Sequence, residues 1–490
     1  MVKTQRNIFH NVITPCLLCQ GCASVLGRTL EKNMAKQKHI VPVRPSDKLE
    51  LNVESQGSSG DGICKHKGYT LFVPGGIPGD LVFAEVIKIT PRFGVTRIIE
   101  QRSPSPDRIK APCPVFTQCG GCKLQDLKYD KQMEFKVNVV KDALKHIGKI
   151  DQPPIASIPA EKMYNYRNKG SFSVQKQGGF LRMGFFKQGS HDIISTESCG
   201  ILHDPINKAK EFIRELLIKH HVSIYDERKH LGLFRELVIR HSSHSNQLLI
   251  GLVTTPGDFP EEFLTDLTAK ATCNNLNICG VVQNINSQKT NVILGKETRV
   301  LWGQGELNEQ LGKLEFSLSL TSFFQVHPEQ TIRLFETIEK WTKNTTGRIL
   351  DAFCGIGAIS LWLGQSGLRV VGIEELPQAV KDARASAKKN NIAYCFFIQG
   401  KVEEHIRKFK EQDIETIILD PPRKGCSEKV LQAVSEIKPK KVIYVSCNPS
   451  TLARDLARLE KYCIDDVVVI DLFPQTQHVE TAVLLTLRNS

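Results

Sequence analysis

From Arg348 to the C-terminus, short apolar runs alternate with amphipathic stretches, and this alternation leaves few folds open. Strands are expected at Arg348–Phe353, Arg369–Glu374, Thr416–Asp420 and Val442–Ser446, separated by helices at Ala358–Gly364, Leu376–Asn390, Ser427–Ile437 and Ser450–Leu459. Such a chain buries both element types by winding helices over the two faces of a mostly parallel sheet. Two last strands, Val467–Leu472 and Thr481–Leu487, have no helix between them, so they are expected to pair as a hairpin at one edge.

The remaining two thirds of the 490 residues are less regular. Residues 41–103 carry turn signals (Gly57–Gly60, Pro74–Gly76, Pro78–Asp80) between strand-like runs such as Tyr69–Val73 and Leu81–Ile89, which predicts a small OB-like β-barrel. The Ser103–Pro106 stretch reads as a linker. Residues 104–321 mix both kinds of segment, with a helix around 207–219, and predict a mixed α+β region; residues 322–490 form the α/β unit. Residues 1–40 are too interrupted by His10, Asn11 and Pro15 for a signal peptide. They are expected to be a disordered or spurious extension, and Cys16, Cys19 and Cys22 within them lack an obvious fourth metal ligand.

Composition excludes a few classes. No apolar run approaches the roughly 20 residues that cross a bilayer. Fifteen cysteines, an odd number spread along a long chain, point to reduced thiols and a cytoplasmic protein. The net charge of +13 permits nucleic-acid binding, but residues 322–490 carry only +2 (23 basic, 21 acidic), so motifs must decide.

In open α/β sheets ligands bind beyond the carboxyl ends of the strands. The first such end reads Asp351-Ala352-Phe353-Cys354-Gly355-Ile356-Gly357. Two glycines allow a close approach, but Ser360 replaces the third glycine of a dinucleotide fingerprint. Glu374 ends the second strand, where an acid can accept hydrogen bonds from ribose hydroxyls. An adenosine ligand without a pyrophosphate fits, which points to S-adenosylmethionine. Asp420-Pro421-Pro422-Arg423 makes a stiff turn aiming Asp420 at the cleft; amine methyltransferases carry an aromatic residue where Arg423 stands.

Cys447, in Ser446-Cys447-Asn448-Pro449, lies between a strand end and a helix start, where the helix dipole is expected to lower its pKa. A lone cysteine is more often a small buried apolar residue, and Glu480 in His478-Val479-Glu480-Thr481 has an ordinary solvated glutamate as its default reading. Taken together, methyl donor, thiolate and carboxylate suit alkylation of uracil at carbon 5: the thiolate adds to carbon 6, and the carboxylate later removes the carbon 5 proton.

Cys113, Cys119 and Cys122 form a C-x5-C-x2-C run that Cys199 can complete to four thiolates. Zinc and a [4Fe–4S] cluster both suit such a set, and spacing does not choose between them.

The combination of the DPPR, SCNP and HVET segments resembles the RNA 5-methyluridine methyltransferases, closest to the iron–sulfur-containing bacterial 23S rRNA enzymes. The resemblance covers residues 41–490 and implies an N-terminal TRAM domain, a cysteine-bearing central domain and a class I methyltransferase domain. It places the nucleophile at Cys447, the base at Glu480, methyl-donor contacts at Gln325 (in Phe324-Gln325), Phe353, Glu374 and Asp420, and [4Fe–4S] ligands at Cys113, Cys119, Cys122 and Cys199. The implied partner is RNA, most simply 23S rRNA, and a monomer is expected. Tyr166-Arg167-Asn168-Lys169 resembles a recurrent central segment; Ala358 and Gln399-Gly400-Lys401 depart from the pattern. A tRNA uridine methyltransferase and an inactive RNA-binding or chaperone relative are the alternatives. The second predicts decay at Cys447, Glu480 or Asp420, and all three are present.

Overall fold

The computed structural model of the chain describes residues 41–151, 154–289 and 292–488. The expected extension 1–40, with Cys16, Cys19 and Cys22, lies outside them.

The C-terminal sheet has eight strands in the order Cys395–Gln399, Val370–Glu374, Arg348–Ala352, Ile414–Leu419, Lys441–Ser446, Glu480–Leu487, Tyr462–Ile470, Ile155–Ile158. The first five run parallel, as expected for strands read as almost unbroken apolar runs: Ile417, Ile418 and Leu419 are all buried, so both faces are covered. One face packs Ile349, Ile418 and Ile443 against Leu361 and Phe335. The other packs Leu350, Ile417 and Val442 against Val430 and Leu452. The helix Pro377–Lys389 shows how the local sequence sets these covers: Pro377 opens it, and Lys388 and Lys389 face the negative end of its dipole.

The last two strands pair antiparallel as expected, but not at the edge. Glu480–Leu487 inserts between Lys441–Ser446 and Tyr462–Ile470, and Ile155–Ile158 closes the sheet beyond them. Burial explains the order. Glu480–Val483 is buried at four successive positions and needs neighbours on both sides, whereas Ile155–Ile158 is partly exposed throughout, as an edge strand can be. The helix Tyr129–Ala143 also belongs here physically, because Met133, Val140 and Ala143 pack into the core beneath Leu419 and Tyr444. Burying each large apolar side chain of this kind contributes about 1.5–3 kcal/mol. Sequence separation alone had grouped 129–158 with the central region.

The N-terminal sheet has six strands, in the order Lys48–Asn52, Leu81–Ile89, Phe93–Ser103, Tyr69–Val73, Gly62–His66, Ser55–Gln56. Period-two burial in Leu81–Val86 turns Val82, Ala84 and Val86 into its core. The Ser103–Pro106 stretch is not a loose linker. Asp80, fully buried, accepts hydrogen bonds from the Ser105 and Ile77 amides at 2.9 Å each and pairs with Arg108, because a buried carboxylate needs such donors.

The central sheet runs Ile193–Ser195, Phe180–Phe186, Lys169–Gln177, Phe234–Ser242, Gln247–Thr254, Ile278–Ile285, Glu297–Gly303. Helices Asp204–Lys219 and Glu261–Ala271 cover one face. Val238, Leu249 and Val282 on the other join the core of the C-terminal unit through the hairpin Glu306–Leu311/Leu314–Ser319. Among the described residues no helix is long and apolar enough to cross a membrane.

Candidate active site

Four of the sequence-selected positions sit at the carboxyl ends of neighbouring strands. At the first, the chain leaves Ala352 with Phe353 in the left-handed region (φ 67°), followed by Gly355 (φ 55°) and Gly357 (φ 77°). A side chain at Gly355 would meet nothing within 4 Å, so this turn borders open space; at Gly357 it would strike the Phe397 ring at 2.7 Å. Glu374 holds the turn from the next strand. Its two carboxylate oxygens accept the Gly355 N–H at 3.1 Å and the Leu376 N–H at 2.8 Å. Each oxygen keeps a second lone pair, which suits ribose hydroxyls. The open glycine turn and this carboxylate fit the methyl donor read from the sequence.

Asp351, which sequence reasoning passed over, lies beneath this turn. It accepts a 2.5 Å hydrogen bond from Ser360 Oγ, its second oxygen is buried without a partner, and burial raises its pKa to about 7. A polar residue at the last inward position of a strand was the available signal. Its charge reaches Asp420, whose pKa burial also raises to about 7.

Asp420 in turn reaches the SCNP segment. The Cys447 thiol is half-buried between the Glu480 and Asp420 carboxyls and the Arg423 guanidinium. The turn is fixed from both sides: Asn448 Nδ2 donates to Arg423 O at 2.9 Å, and Asn448 Oδ1 caps the helix Pro449–Leu456 by accepting the Ser450 N–H at 3.1 Å. The expected depression of the thiol pKa is overturned. Burial pushes Cys447 up to about 11, the Glu480 and Asp420 charges push the same way, and Arg423 opposes them.

Glu480 is the opposite of a solvated glutamate: it is 3% exposed, and burial plus the Asp420 charge raise its pKa well above the usual carboxylate range. A raised pKa makes its carboxylate a stronger base than an ordinary glutamate. Two further groups complete the cluster. Arg423 Nη2 lies 3.1 Å from His478 Nδ1, and burial together with the Arg423 charge lowers the His478 pKa to about 4, so that ring is a neutral acceptor. The sequence reading had used Arg423 only to exclude amine chemistry and gave His478 no role.

Gln325 is half-buried in a segment held to the same region. Ser322 Oγ donates to Asp382 Oδ2 at 2.7 Å on the helix after Glu374, and His327 stacks on Tyr166 with ring centroids 4.7 Å apart. The described contacts do not join Gln325 itself to the strand-end cluster.

Cys113, Cys119, Cys122 and Cys199 gather elsewhere, over the central sheet. Burial pushes the Cys122 thiol up to about 12, and the charges of Cys199, Cys119 and Cys113 add to it. The Gly121 N–H donates to Cys119 Sγ at 3.4 Å, and the Leu202 N–H donates to Cys199 O at 3.0 Å. The four are neighbours, yet among the described residues no group of three or more His, Cys, Asp or Glu side chains stands at metal-holding geometry.

The tRNA (uracil-5-)-methyltransferase family profile matches residues 128–488, and the TRAM domain profile matches residues 43–98. The chain belongs to the RNA uracil-5-methyltransferase family. It is an S-adenosylmethionine-dependent RNA methyltransferase with a TRAM domain at its N-terminal end. An uncharacterized RNA methyltransferase of Halalkalibacterium halodurans is 39% identical over 464 residues, covering 93% of this chain and 100% of the relative. One from Clostridium tetani is 38% identical over 454 residues, covering 92% and 98%. The crystal structure of Pyrococcus abyssi tRNA (uracil-54, C5)-methyltransferase in complex with S-adenosyl-L-homocysteine is similar at a TM-score of 0.73 and 26% identity. It covers 89% of this chain and 100% of that one. The class I methyltransferase fold with a TRAM domain, expected from the motifs, is the fold found.

Proposed function

We propose that this chain methylates carbon 5 of a uridine in 23S rRNA through a transient bond between Cys447 and carbon 6. The observation that carries the reading is the convergence of the Cys447 thiol with the Glu480 and Asp420 carboxyls and Arg423 at adjoining strand ends, beside an open glycine turn.

Carbon 5 of uracil is a poor nucleophile. Cys447 and Glu480 each give their proton to solvent as the substrates bind, and the Cys447 thiolate adds its sulfur to carbon 6; the 5,6 double-bond electrons move onto carbon 5 and the 4-carbonyl, giving an enolate. Bound S-adenosylmethionine supplies an electrophilic methyl group on a sulfonium. Carbon 5 forms the new bond to that carbon, and the methyl-to-sulfur bond breaks. The Glu480 carboxylate then takes the carbon 5 proton, the freed electron pair restores the 5,6 double bond, and the carbon 6–sulfur bond breaks to return the Cys447 thiolate. In the ligand-free site the thiol is held protonated, and Arg423 is the cation placed to favour its ionised form. We assign Gln325, Phe353, Glu374 and Asp420 to the donor pocket. Glu374 and the 353–357 turn are supported by their geometry, and Gln325 by its place in the FxQ segment.

We further propose that Cys113, Cys119, Cys122 and Cys199 hold a [4Fe–4S] cluster, whose role in this reaction is structural. Their shared neighbourhood and the Gly121 N–H aimed at Cys119 sulfur support it. Anaerobically purified protein is expected to contain about four irons and four sulfides per chain; stoichiometric zinc without iron would contradict the assignment.

A second reading, a tRNA uridine as target, is favoured by the full-length likeness to the Pyrococcus abyssi tRNA enzyme. Mapping 5-methyluridine in ribosomal and transfer RNA, from cells with and without the gene, decides. Loss of a 23S rRNA site is expected. Loss confined to tRNA would replace the first reading with the second, and no loss in either would overturn both.

A further inference from the structure

Between the strands Tyr462–Ile470 and Glu480–Leu487 the chain makes a nine-residue excursion, 471–479, that ends against Glu480 and carries His478. Besides local turn bonds such as Thr476 N–H to Phe473 O, this loop is held by residues far away in the sequence. Lys136, on the helix Tyr129–Ala143, is completely buried with Asp471: Nζ donates to Asp471 Oδ1 at 2.5 Å and to Phe473 O at 2.9 Å. Tyr129 OH donates to the other Asp471 oxygen at 2.9 Å while accepting the Ala160 N–H at 2.6 Å. One helical turn from Lys136, Gln132 Nε2 donates to Gln475 Oε1 at 3.1 Å and Gln132 Oε1 accepts the Gln475 N–H at 3.2 Å. The same Nε2 donates to Leu124 O and Leu127 O, and the Lys123 and Leu124 N–H groups both donate to Gln475 O at 3.1 Å. Tyr166 OH donates to Pro474 O at 3.1 Å.

Each of these groups is individually costly. Removing an ammonium and a carboxylate from water costs about as much as their attraction returns, so a buried ion pair is a poor means of adding stability. Gln475 holds a left-handed backbone (φ 70°), a conformation that a residue with a side chain adopts only when its surroundings enforce it. What the pair and the two glutamines do supply is a single loop conformation. The loop's two ends are Ile470 and Glu480, which face each other in register across the strand pair, so fixing Asp471 and Gln475 fixes where Glu480 leaves the loop. The Lys136 charge is also felt at His478.

We infer that Lys136, Asp471, Gln132 and Gln475 are positioning residues for the proton-removing step: they hold the 471–479 loop so that Glu480 and His478 face Cys447. The inference rests on Glu480 being the base.

The test separates the two halves of the reaction. An RNA transcript spanning the mapped uridine is made with uridine or with 5-fluorouridine, whose fluorine cannot leave as a proton, and is incubated with wild-type, Lys136→Met or Gln475→Gly protein and S-adenosylmethionine. Gln475→Gly accepts the positive φ and loses only the side-chain link, so it carries the test where Lys136→Met fails to fold. Turnover on uridine RNA is expected to fall roughly 10- to 100-fold with a denaturation-resistant protein–RNA adduct accumulating, while the rate of adduct formation on 5-fluorouridine stays within about threefold of wild type. Undiminished turnover in Gln475→Gly, or an equal fall in both rates, would overturn the inference. If Glu480→Gln itself accumulates no adduct on uridine RNA, the assignment of the base fails instead.

Discussion

Cys447→Ser protein is expected to lose methyl transfer to RNA, with the rate down by roughly 10⁴-fold or more, while it folds and binds S-adenosylmethionine as before. The size follows from the chemistry. Without sulfur at carbon 6, carbon 5 has no enolate to draw on, and a serine hydroxyl is far harder to ionise than a thiol already pushed up to about 11. Neither Asp420 nor Glu480 can replace it, because a carboxylate is a far weaker nucleophile towards carbon 6 than a thiolate. Tritium release from 5-tritiated uridine in the transcript measures the loss, and equilibrium dialysis with the methyl donor checks that its pocket is intact. The substitution is nearly isosteric at a half-buried position, so its effect on stability is expected to stay below about 1 kcal/mol.

Glu480→Gln is expected to act on the other half of the cycle. Turnover falls about 10²- to 10⁴-fold, the range for removing a general base, yet the first half proceeds, so the methylated adduct builds up on ordinary uridine. A band resistant to denaturing electrophoresis, absent or faint with wild-type protein, is the expected readout. Folding is not expected to suffer. Glu480 is buried with its pKa raised, so its charge is not what holds the fold, and the amide keeps its shape. Unchanged turnover would remove Glu480 as the base.

Cys447 was legible because it follows the end of a strand, and strand ends are where an open α/β sheet meets its ligand, whereas Glu480 opens its strand and carried no such signal. Asp420, Cys447 and Glu374 could be chosen from the pattern alone for that reason. Their electrostatics could not. The Cys447 thiol was expected to be depressed by the helix that follows it, and it is raised because burial disfavours its charge and because Glu480, thirty-three residues on, and Asp420 share its pocket. Local sequence shows the helix start but not which carboxyls fold against it.

The sheet order failed in the same way. Val467–Leu472 and Thr481–Leu487 were legible as a pair, but their place inside the sheet depends on Ile155–Ile158, about three hundred residues earlier. Lys136 and Asp471 are more distant still, 335 positions apart, and nothing in the local sequence of either marks it for burial with the other. Periodicity reports which face of an element is apolar; it does not report which distant polar group will be buried with it. The four cysteines lie between these cases. Cys113, Cys119 and Cys122 announce themselves by spacing, and the structure brings Cys199 to them across the central sheet.

Incubating the wild-type protein with S-adenosylmethionine and a 5-fluorouridine transcript of its target, then sequencing the RNA-linked peptide by mass spectrometry, tests the covalent step most directly. The predicted result is one cross-linked peptide with the nucleotide on Cys447. No adduct with folded protein and its mapped RNA, or an adduct on any other residue, would contradict it.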